Sequence, residues 1–299
     1  MTLTLPAFAK INWTLEVLGR RADGYHELRT LLQTVSLCDE LRFTPTDGPI
    51  EIACDTPGVP CDETNLAHRA ATLLSRFTGV NRGVRIELVK RIPAAAGLGG
   101  GSSNAAVTLI ALQRLWGVRL APRDLFFLGA QLGADVPFFF LGGTCLGIGR
   151  GDEVYPLAEM AAEHLLLVNA GISVPTREVY LNLPAELTKP RPAVMMPFTL
   201  EAAYLSASLQ SKPLPPLRND LEGPVLARHP LISEIKQRLT RAGARAALMS
   251  GSGSTVFGVF DSGAMLDAAQ AGFGQEGWWC AKARTVSRDE YRAKLGTEG

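Results

Sequence analysis

The sequence predicts an α+β protein in two lobes with a ligand cleft between them, and three observations carry that prediction. β-favouring runs and helical runs are interspersed with no fixed-period repeat or low-complexity tract. A glycine-rich loop joins an alternating strand to an apolar helix near residue 100, and prolines recur from Pro184 to Pro216. With 299 residues, 46% of them hydrophobic, the chain has enough apolar surface for two cores. A boundary near residue 155 fits these runs best, giving domains 1–155 and 156–299.

Taken in order, Leu3 to Val17 alternates and is β-favouring, as is Leu41 to Thr44. Between them Gly19 to His26 reads as a charged loop bracketed by glycines. Asn65 to Phe77 has helical spacing, with Asp62-Glu63-Thr64 in capping position. Val84 to Val89 alternates as a strand that Pro93 stops. The run Gly97-Leu98-Gly99-Gly100-Gly101-Ser102-Ser103 then leads into a helix expected to begin near Ser103 or Asn104. A helix over Pro122 to Leu132 precedes Gly133-Ala134-Asp135-Val136-Pro137 and the apolar Phe138 to Leu141. His164 to Asn169 is a buried strand, and the prolines between Leu183 and Leu217 predict loops around a short helix. Leu231 to Ala242 is an amphipathic helix, and Ala246 to Phe260 forms two apolar strands around the turn Ser250 to Ser254.

Composition narrows the function. A net charge of +1 leaves no surplus of Lys and Arg for a run of phosphates, which disfavours extended nucleic-acid binding but not a single nucleotide. No segment approaches the ~18 uninterrupted apolar residues of a membrane span, and Met1 to Lys10 lacks a long apolar core of a signal peptide. The expected location is cytoplasmic. Cys38, Cys54, Cys61, Cys145 and Cys280 are odd in number and scattered, as reduced thiols are; His26, His68, His164 and His229 are isolated, so no zinc site is legible.

The glycine run carries the chemistry. Without Cβ atoms its backbone can reach positive φ and turn several N–H groups on one anion, and the following helix adds the positive end of its dipole. Triphosphate is the natural guest. A Walker A loop would need a Lys that is missing, and a dinucleotide fingerprint would need Gly where Ser102 stands. A nucleophile elbow fits better: Gly101-Ser102-Ser103-Asn104-Ala105 departs from it only at the final Ala, and Asp135 and His229 follow in hydrolase order. A Ser hydrolase using Ser103 therefore stays open at this point. It leaves the turn Ser250 to Ser254 idle, whereas two such turns far apart suit a nucleotide held from both sides.

The segment Pro93-Ala94-Ala95-Ala96-Gly97-Leu98-Gly99-Gly100-Gly101-Ser102-Ser103-Asn104-Ala105-Ala106 resembles the central motif of the GHMP kinases, the group of galactokinase, homoserine kinase and mevalonate kinase. Ala9-Lys10-Ile11-Asn12, Arg21-Ala22-Asp23-Gly24-Tyr25-His26, Gly133 to Pro137 and Ser250-Gly251-Ser252-Gly253 are similar to the branch of that family that acts on a cytidine diphosphate alcohol. These blocks run in order from residue 7 to about 260. Ala94, Ala95 and Ala96 stand where relatives commonly carry Gly or Met, which slightly reduces backbone freedom at the start of the loop.

The resemblance implies a two-lobed GHMP kinase fold, with an N-terminal ribosomal-protein-like β-α lobe and a C-terminal ferredoxin-like α/β sandwich. The implied reaction is γ-phosphoryl transfer from ATP to the tertiary 2-hydroxyl of a methylerythritol moiety, on the non-mevalonate route to isoprenoids; another GHMP small-molecule kinase is the alternative. Lys10 and Asp135 are implied to be catalytic. Asn65 and the loop Pro93 to Ser103 would hold ATP. Tyr25 and Tyr180 would sandwich the cytosine, with Asn12, His26, Gly251 and Ser252 completing the substrate pocket. Chemically, Asp135 would orient the hydroxyl and accept its proton late, and Lys10 would pair with it and offset charge on the phosphoryl group. ATP is expected with Mg2+ as a substrate complex, Ser103 being a candidate ligand only by its place, and with no tightly bound cofactor. The expected partners are the two small molecules, with no nucleic acid and no membrane, on a monomer or weak homodimer.

Overall fold

The computed structural model describes residues 2–160, 163–189, 217–273 and 277–297. Two long strands form its spine: β1 (Leu3–Arg20) and β2 (His26–Thr46) pair antiparallel from Leu3 opposite Phe43 to Arg20 opposite His26. Sequence alternation marks only the far end of β2. Its middle, Thr30 to Val35, is buried on both faces, helices covering one and a second sheet the other, so no period of two survives there.

β3 (Ile50–Cys54), α1 (Leu66–Thr78) and β4 (Gly83–Val89) extend one side of this sheet, β3 and β4 running parallel. α1 is capped by Asn65, whose Oδ1 accepts from the Ala67 N–H, and not by the Asp62-Glu63-Thr64 run expected to do so. α2 (Gly100–Trp116), α3 (Pro122–Leu132) and the single turn α4 (Phe138–Leu141) follow. α2 begins at Gly100, three or four residues before the expected Ser103 or Asn104, because Gly99 takes the left-handed cap conformation and its carbonyl accepts from the Ser103 N–H. β5 (Thr144–Gly149) pairs with β2, and β6 (Glu153–Pro156) with β5.

β7 (His164–Asn169) opens a second sheet. After α5 (Thr176–Leu181) and α6 (Ala185–Thr188), the short β8 (Arg218–Asn219) returns to the first sheet beside β1. Of the stretch Leu183 to Leu217, where loops around a short helix are expected, residues 190–216 lie outside the described residues. α7 (Glu222–Arg228), α8 (Pro230–Arg241), β9 (Ala246–Met249), β10 (Val256–Phe260), α9 (Gly263–Phe273) and β11 (Trp279–Arg284) complete the second sheet in the order β11-β7-β10-β9, every pair antiparallel. α10 (Arg288–Leu295) crosses back and buries Tyr291 and Leu295 in the first core.

Apolar burial falls into three layers. One lies between the first sheet and its helices, and one within the second sheet and its helices. The third joins the sheets: Ala9, Ile11, Trp13, Leu31 and Val35 meet Leu165, Leu167, Leu248 and Phe257, with Ala96 and Leu98 of the glycine loop among them. That loop is thus fixed where the two sheets meet. Among the described residues no helix is long and apolar enough to cross a membrane.

Candidate active site

Lys10 occupies a strand position that faces no solvent, only 3% exposed, and bulges in β1 at Phe8/Ala9 and Asn12/Thr14 flank it. A buried ammonium requires partners. Its Nζ donates to Asn12 Oδ1 at 2.7 Å and lies 3.7 Å from Asp135 Oδ2. Asn12 Nδ2 donates in turn to Thr30 Oγ1 at 2.7 Å, and that hydroxyl donates to the Thr14 carbonyl at 2.7 Å. This chain fixes the Asn12 amide with its oxygen toward Lys10 and so aims the ammonium. Asp135 follows α3 on a turn closed by the Val136 N–H on the Gly133 carbonyl, and the buried Val136, Phe138 and Phe139 hold it in place. Its side chain stays 39% exposed, so the pair joins a buried cation to a carboxylate that a substrate can reach.

The glycine loop passes directly beside this pair. The Lys10 N–H donates to the Leu98 carbonyl at 3.0 Å. Gly99, at φ 69°, lies between the Lys10 Cγ and the Phe139 ring, each 3.0 Å from where a Cβ would stand. Gly97, at φ 77°, approaches the second glycine turn so closely that a Cβ would meet the Ser250 carbonyl oxygen at 2.1 Å. Ser250 Oγ donates to the Gly97 carbonyl at 2.9 Å, and the Thr255 N–H to that of Ala96 at 3.2 Å. Ala96 and Leu98 anchor the loop in the inter-sheet core, while Ala94, Ala95 and Gly101 are exposed and Pro93, Gly97, Gly99 and Ser102 half-buried. The first-turn N–H groups of Gly100, Gly101 and Ser102 precede the first intrahelical bond, where a helix receives anions.

Ser103 is fully buried, and its hydroxyl has no hydrogen-bond partner among the described residues. Asp135 faces Lys10, and His229 lies between α7 and α8, where it lines a different cavity with Ser173, Glu178 and Arg228. The Ser-His contact of a hydrolase is missing, which removes the Ser103 nucleophile from consideration.

The second lobe supplies the other wall. Tyr180, on α5, stacks on His26 with ring centroids 5.1 Å apart and planes 23° apart. Burial, and after it the nearby Asp135 carboxylate, push the Tyr180 hydroxyl well above its ordinary range. Burial, then Arg20, hold the His26 imidazole below its ordinary value, and its Nε2 is enclosed with no hydrogen-bond partner among the described residues. Tyr25 sits at the tip of the β1–β2 hairpin, 58% exposed, with the Arg150 guanidinium 5.2 Å from its ring centroid. Tyr180 therefore packs on His26, and Tyr25 on Arg150. Gly251 stands beside the pair, a Cβ there lying 3.2 Å from Lys10 Nζ, and Ser252 Oγ shares a 2.8 Å hydrogen bond with Thr176 Oγ1. Asn65 is committed to α1: besides capping Ala67 it donates through Nδ2 to the Pro60 carbonyl at 2.7 Å.

Sequence reasoning passed over the residues that hold these turns. Asn219 donates to the carbonyls of Met249 and Gly251 at 2.8 and 2.7 Å and accepts from the Leu221 N–H. Asn169 donates to Ser254 and Thr255, and Ser254 Oγ to the Ile172 carbonyl, tying the second glycine turn to the segment that carries Tyr180. Asp39 and Lys90 lie beneath the first loop. Asn169 is a lone polar residue ending an apolar run, a signal visible in the letters but with no indication of its partner; Asn219, Asp39 and Lys90 stand beside charged neighbours, where nothing in the letters sets them apart.

The model of the GHMP kinases N terminal domain matches residues 65–143, and that of the GHMP kinases C terminal domain residues 202–277. The chain is 44% identical over 286 residues to the 4-diphosphocytidyl-2-C-methyl-D-erythritol kinase of Geobacter sp. (strain M21), covering 95% of this chain and 99% of the relative. It belongs to the 4-diphosphocytidyl-2-C-methyl-D-erythritol kinase family. The kinase of that name from Thermodesulfovibrio yellowstonii is 42% identical over 95% of this chain and 98% of its own length. A crystal structure of 4-(cytidine 5'-diphospho)-2C-methyl-D-erythritol kinase superposes with TM-score 0.79 at 37% identity, covering 95% of this chain and 100% of that one. Homoserine kinase from Cytophaga hutchinsonii, at TM-score 0.70 and 19% identity, covers 96% of this chain and 95% of its own, and here the likeness shows the fold alone. As a GHMP kinase the chain is an enzyme, and ATP is its phosphoryl donor. Within the kinase fold, the matched N-terminal region holds the glycine loop and Asp135, and Lys10 reaches them from β1.

Proposed function

We propose that this chain transfers the γ-phosphoryl group of ATP to the 2-hydroxyl of 4-(cytidine 5'-diphospho)-2-C-methyl-D-erythritol, giving the 2-phosphate and ADP on the non-mevalonate route to isoprenoid precursors. One observation carries the reading: the buried Lys10 ammonium 3.7 Å from the open Asp135 carboxylate, beside the start of the glycine-loop helix, in a chain of this kinase family.

A tertiary alcohol is too weak an acid for a carboxylate to ionise it beforehand. Asp135 orients the hydroxyl and takes its proton late, as the bond to phosphorus forms. Lys10, aimed by Asn12, offsets charge on the transferring group, and the N–H groups that open α2 hold the phosphates in line. The cytosine lies against Tyr25 and Tyr180, with His26 lining the pocket as the ring stacked on Tyr180; Gly251 leaves room beside Lys10, and Ser252 sits at the rim. Asn65 acts on the adenine side through the helix start it caps.

Magnesium enters with ATP as part of the substrate. Among the described residues no three of His, Cys, Asp and Glu cluster as a metal cage, which suits an ion that keeps most of its waters, and the unpartnered Ser103 hydroxyl in the first turn of α2 fits as a protein oxygen for it. The order β11-β7-β10-β9, interleaved with α8 and α9, is that of a ferredoxin-like sandwich and supports that description of the second lobe. The ribosomal-protein-like description of the first lobe rests on β1 to β4 with α1 and α2, and domains 1–155 and 156–299 go with it.

Coupled ADP release with the cytidine diphosphate alcohol, compared with mevalonate, homoserine and galactose, tests the proposal. At least hundredfold preference in kcat/KM for the cytidine compound is expected. Equal turnover of mevalonate overturns the substrate and makes the chain a GHMP kinase of another alcohol.

A further inference from the structure

We infer that Asp39 is a positioning residue that clamps the two ends of the ATP loop to each other, an inference that rests on the reading of Pro93 to Ser103 as that loop. Asp39 lies on β2 opposite Ala7 and is fully buried. Its Oδ1 accepts from the N–H groups of Arg91 and Ile92, both at 2.8 Å. Its Oδ2 accepts from Lys90 Nζ at 2.6 Å and from Asn104 Nδ2 at 3.0 Å. Lys90 Nζ also donates to the Ile92 carbonyl at 2.6 Å.

The position of these partners along the chain carries the argument. Residues 90–92 are where the backbone leaves β4 for the loop, and Asn104 is where it enters the second turn of α2. One carboxylate therefore fixes the gap that the glycine loop must bridge. Phosphate-binding N–H groups act only if they converge on one point, so a change of a few tenths of an ångström in that gap misaims them.

Lys90 gives the clamp an electrostatic side. Its Nζ lies 3.0 Å from where a Cβ on Gly100 would stand, so the ammonium sits under the first residue of α2. An isolated cation at the positive end of a helix dipole is unfavourable. Asp39 offsets that repulsion while Lys90 adds to the positive potential that the loop presents to ATP. A carboxylate that only filled space would be replaceable by an apolar side chain of similar shape; all four hydrogen bonds of this one end at the loop's boundaries.

Asp39→Asn and Asn104→Ala test this in the full chain, with ATP and the cytidine diphosphate alcohol varied separately, ATP titrated alone by calorimetry, and melting followed. Asn at 39 keeps an acceptor for the Arg91 and Ile92 N–H groups but turns an NH2 toward Lys90 Nζ and Asn104 Nδ2. KM and Kd for ATP should rise about tenfold or more, with the alcohol KM within about twofold. Asn104→Ala, which removes only the α2 side of the clamp, should give the same split at about threefold or more, and it reads the clamp alone if Asp39→Asn does not fold. ATP binding unchanged in both variants, or both KM values rising together with a lowered Tm, overturns the clamp and leaves the proposed function standing. A wild-type chain that does not bind ATP overturns both.

Discussion

Asp135→Asn keeps the shape of the side chain and removes its charge and its ability to take a proton, so it bears on the chemistry directly. Asp135 Oδ2 lies 3.7 Å from Lys10 Nζ. At that separation the bare attraction is about 4 kcal/mol at an effective dielectric of ~20 and about 1 kcal/mol in water. With the Asp135 side chain 39% exposed the lower figure applies, and the resting pair contributes little to stability. Lys10 keeps its 2.7 Å bond to Asn12 when Asp135 changes, so the ammonium is not orphaned and Tm should move by no more than about 2 °C.

Turnover should respond quite differently. With Asp135 in the proposed role, the variant lacks the acceptor for the hydroxyl proton, a loss of ~10²–10⁴ in kcat, equal to about 2.7–5.4 kcal/mol of barrier. Both KM values should stay within about threefold of wild type, because neither the phosphate loop nor the base pocket is touched. Coupled ADP release at saturating ATP and cytidine diphosphate alcohol reads kcat, and separate substrate series read the KM values. An unchanged kcat with a raised alcohol KM would make Asp135 a binding group and refute the proton-acceptor role.

Lys10→Met should lower kcat by ~10²–10⁴, and the double variant with Asp135→Asn should lose little more than the worse single one, because residues acting as a unit are not additive; a double-mutant cycle in kcat checks this. Gly97→Ala forces a side chain onto φ 77° and against the Ser250 carbonyl at 2.1 Å, and a cost of at least ~2 kcal/mol should appear as a Tm fall of about 4 °C or more with weaker ATP binding. Tyr180→Ala removes the ring stacked on His26 and should raise the alcohol KM by about tenfold, as loss of a stacking partner worth ~1–3 kcal/mol does, with the ATP KM unchanged. The His26 imidazole is held below its ordinary value by burial, so between that lowered value and the unfolded one near 6.5 the unfolded chain binds more protons. Stability is therefore intact above pH ~6.5 and declines as pH falls below it. An NMR titration of His26 with a midpoint above 6.5 would contradict this, and His26→Phe should remove its share of the acid sensitivity.

The legible parts of the molecule were those where local pattern and tertiary role agree. Pro122–Leu132 starts on a proline in the first turn and ends at Gly133, and it was readable to the residue. The strands either side of Ser250 to Ser254 were clear because a run of small residues interrupts two apolar ones. β2 was readable only at its end: Thr30 to Val35 is covered on both faces, and Gln33 and Asp39 break the apolar run with side chains whose partners lie far along the chain, Gln33 donating to the Val286 carbonyl and Asp39 accepting from Ile92 and Asn104. α10 was invisible for a related reason. It is a short, polar helix whose value lies in Tyr291, which reaches the Phe139 carbonyl at 2.5 Å across 152 residues.

The candidate site shows the same division at finer scale. Its letters allow two chemistries, because glycines, two serines and a following helix suit a nucleophile elbow as well as a phosphate loop. An elbow presents its hydroxyl to solvent and to a histidine. Here Gly99 caps the helix at Gly100, which buries Ser103 in the first turn and leaves backbone N–H groups at the helix start. Placing the helix start a turn earlier than the apolar pattern suggests therefore decides between the two. What selects that start is tertiary: Gly99 is wedged between Lys10 and Phe139, and Asp39 holds Asn104 and the exit of β4 in register. The residues that set the loop's shape, on which the proposed phosphate binding depends, are thus partly outside the loop, on β1, β2 and α4, and a reading confined to the motif could not have found them.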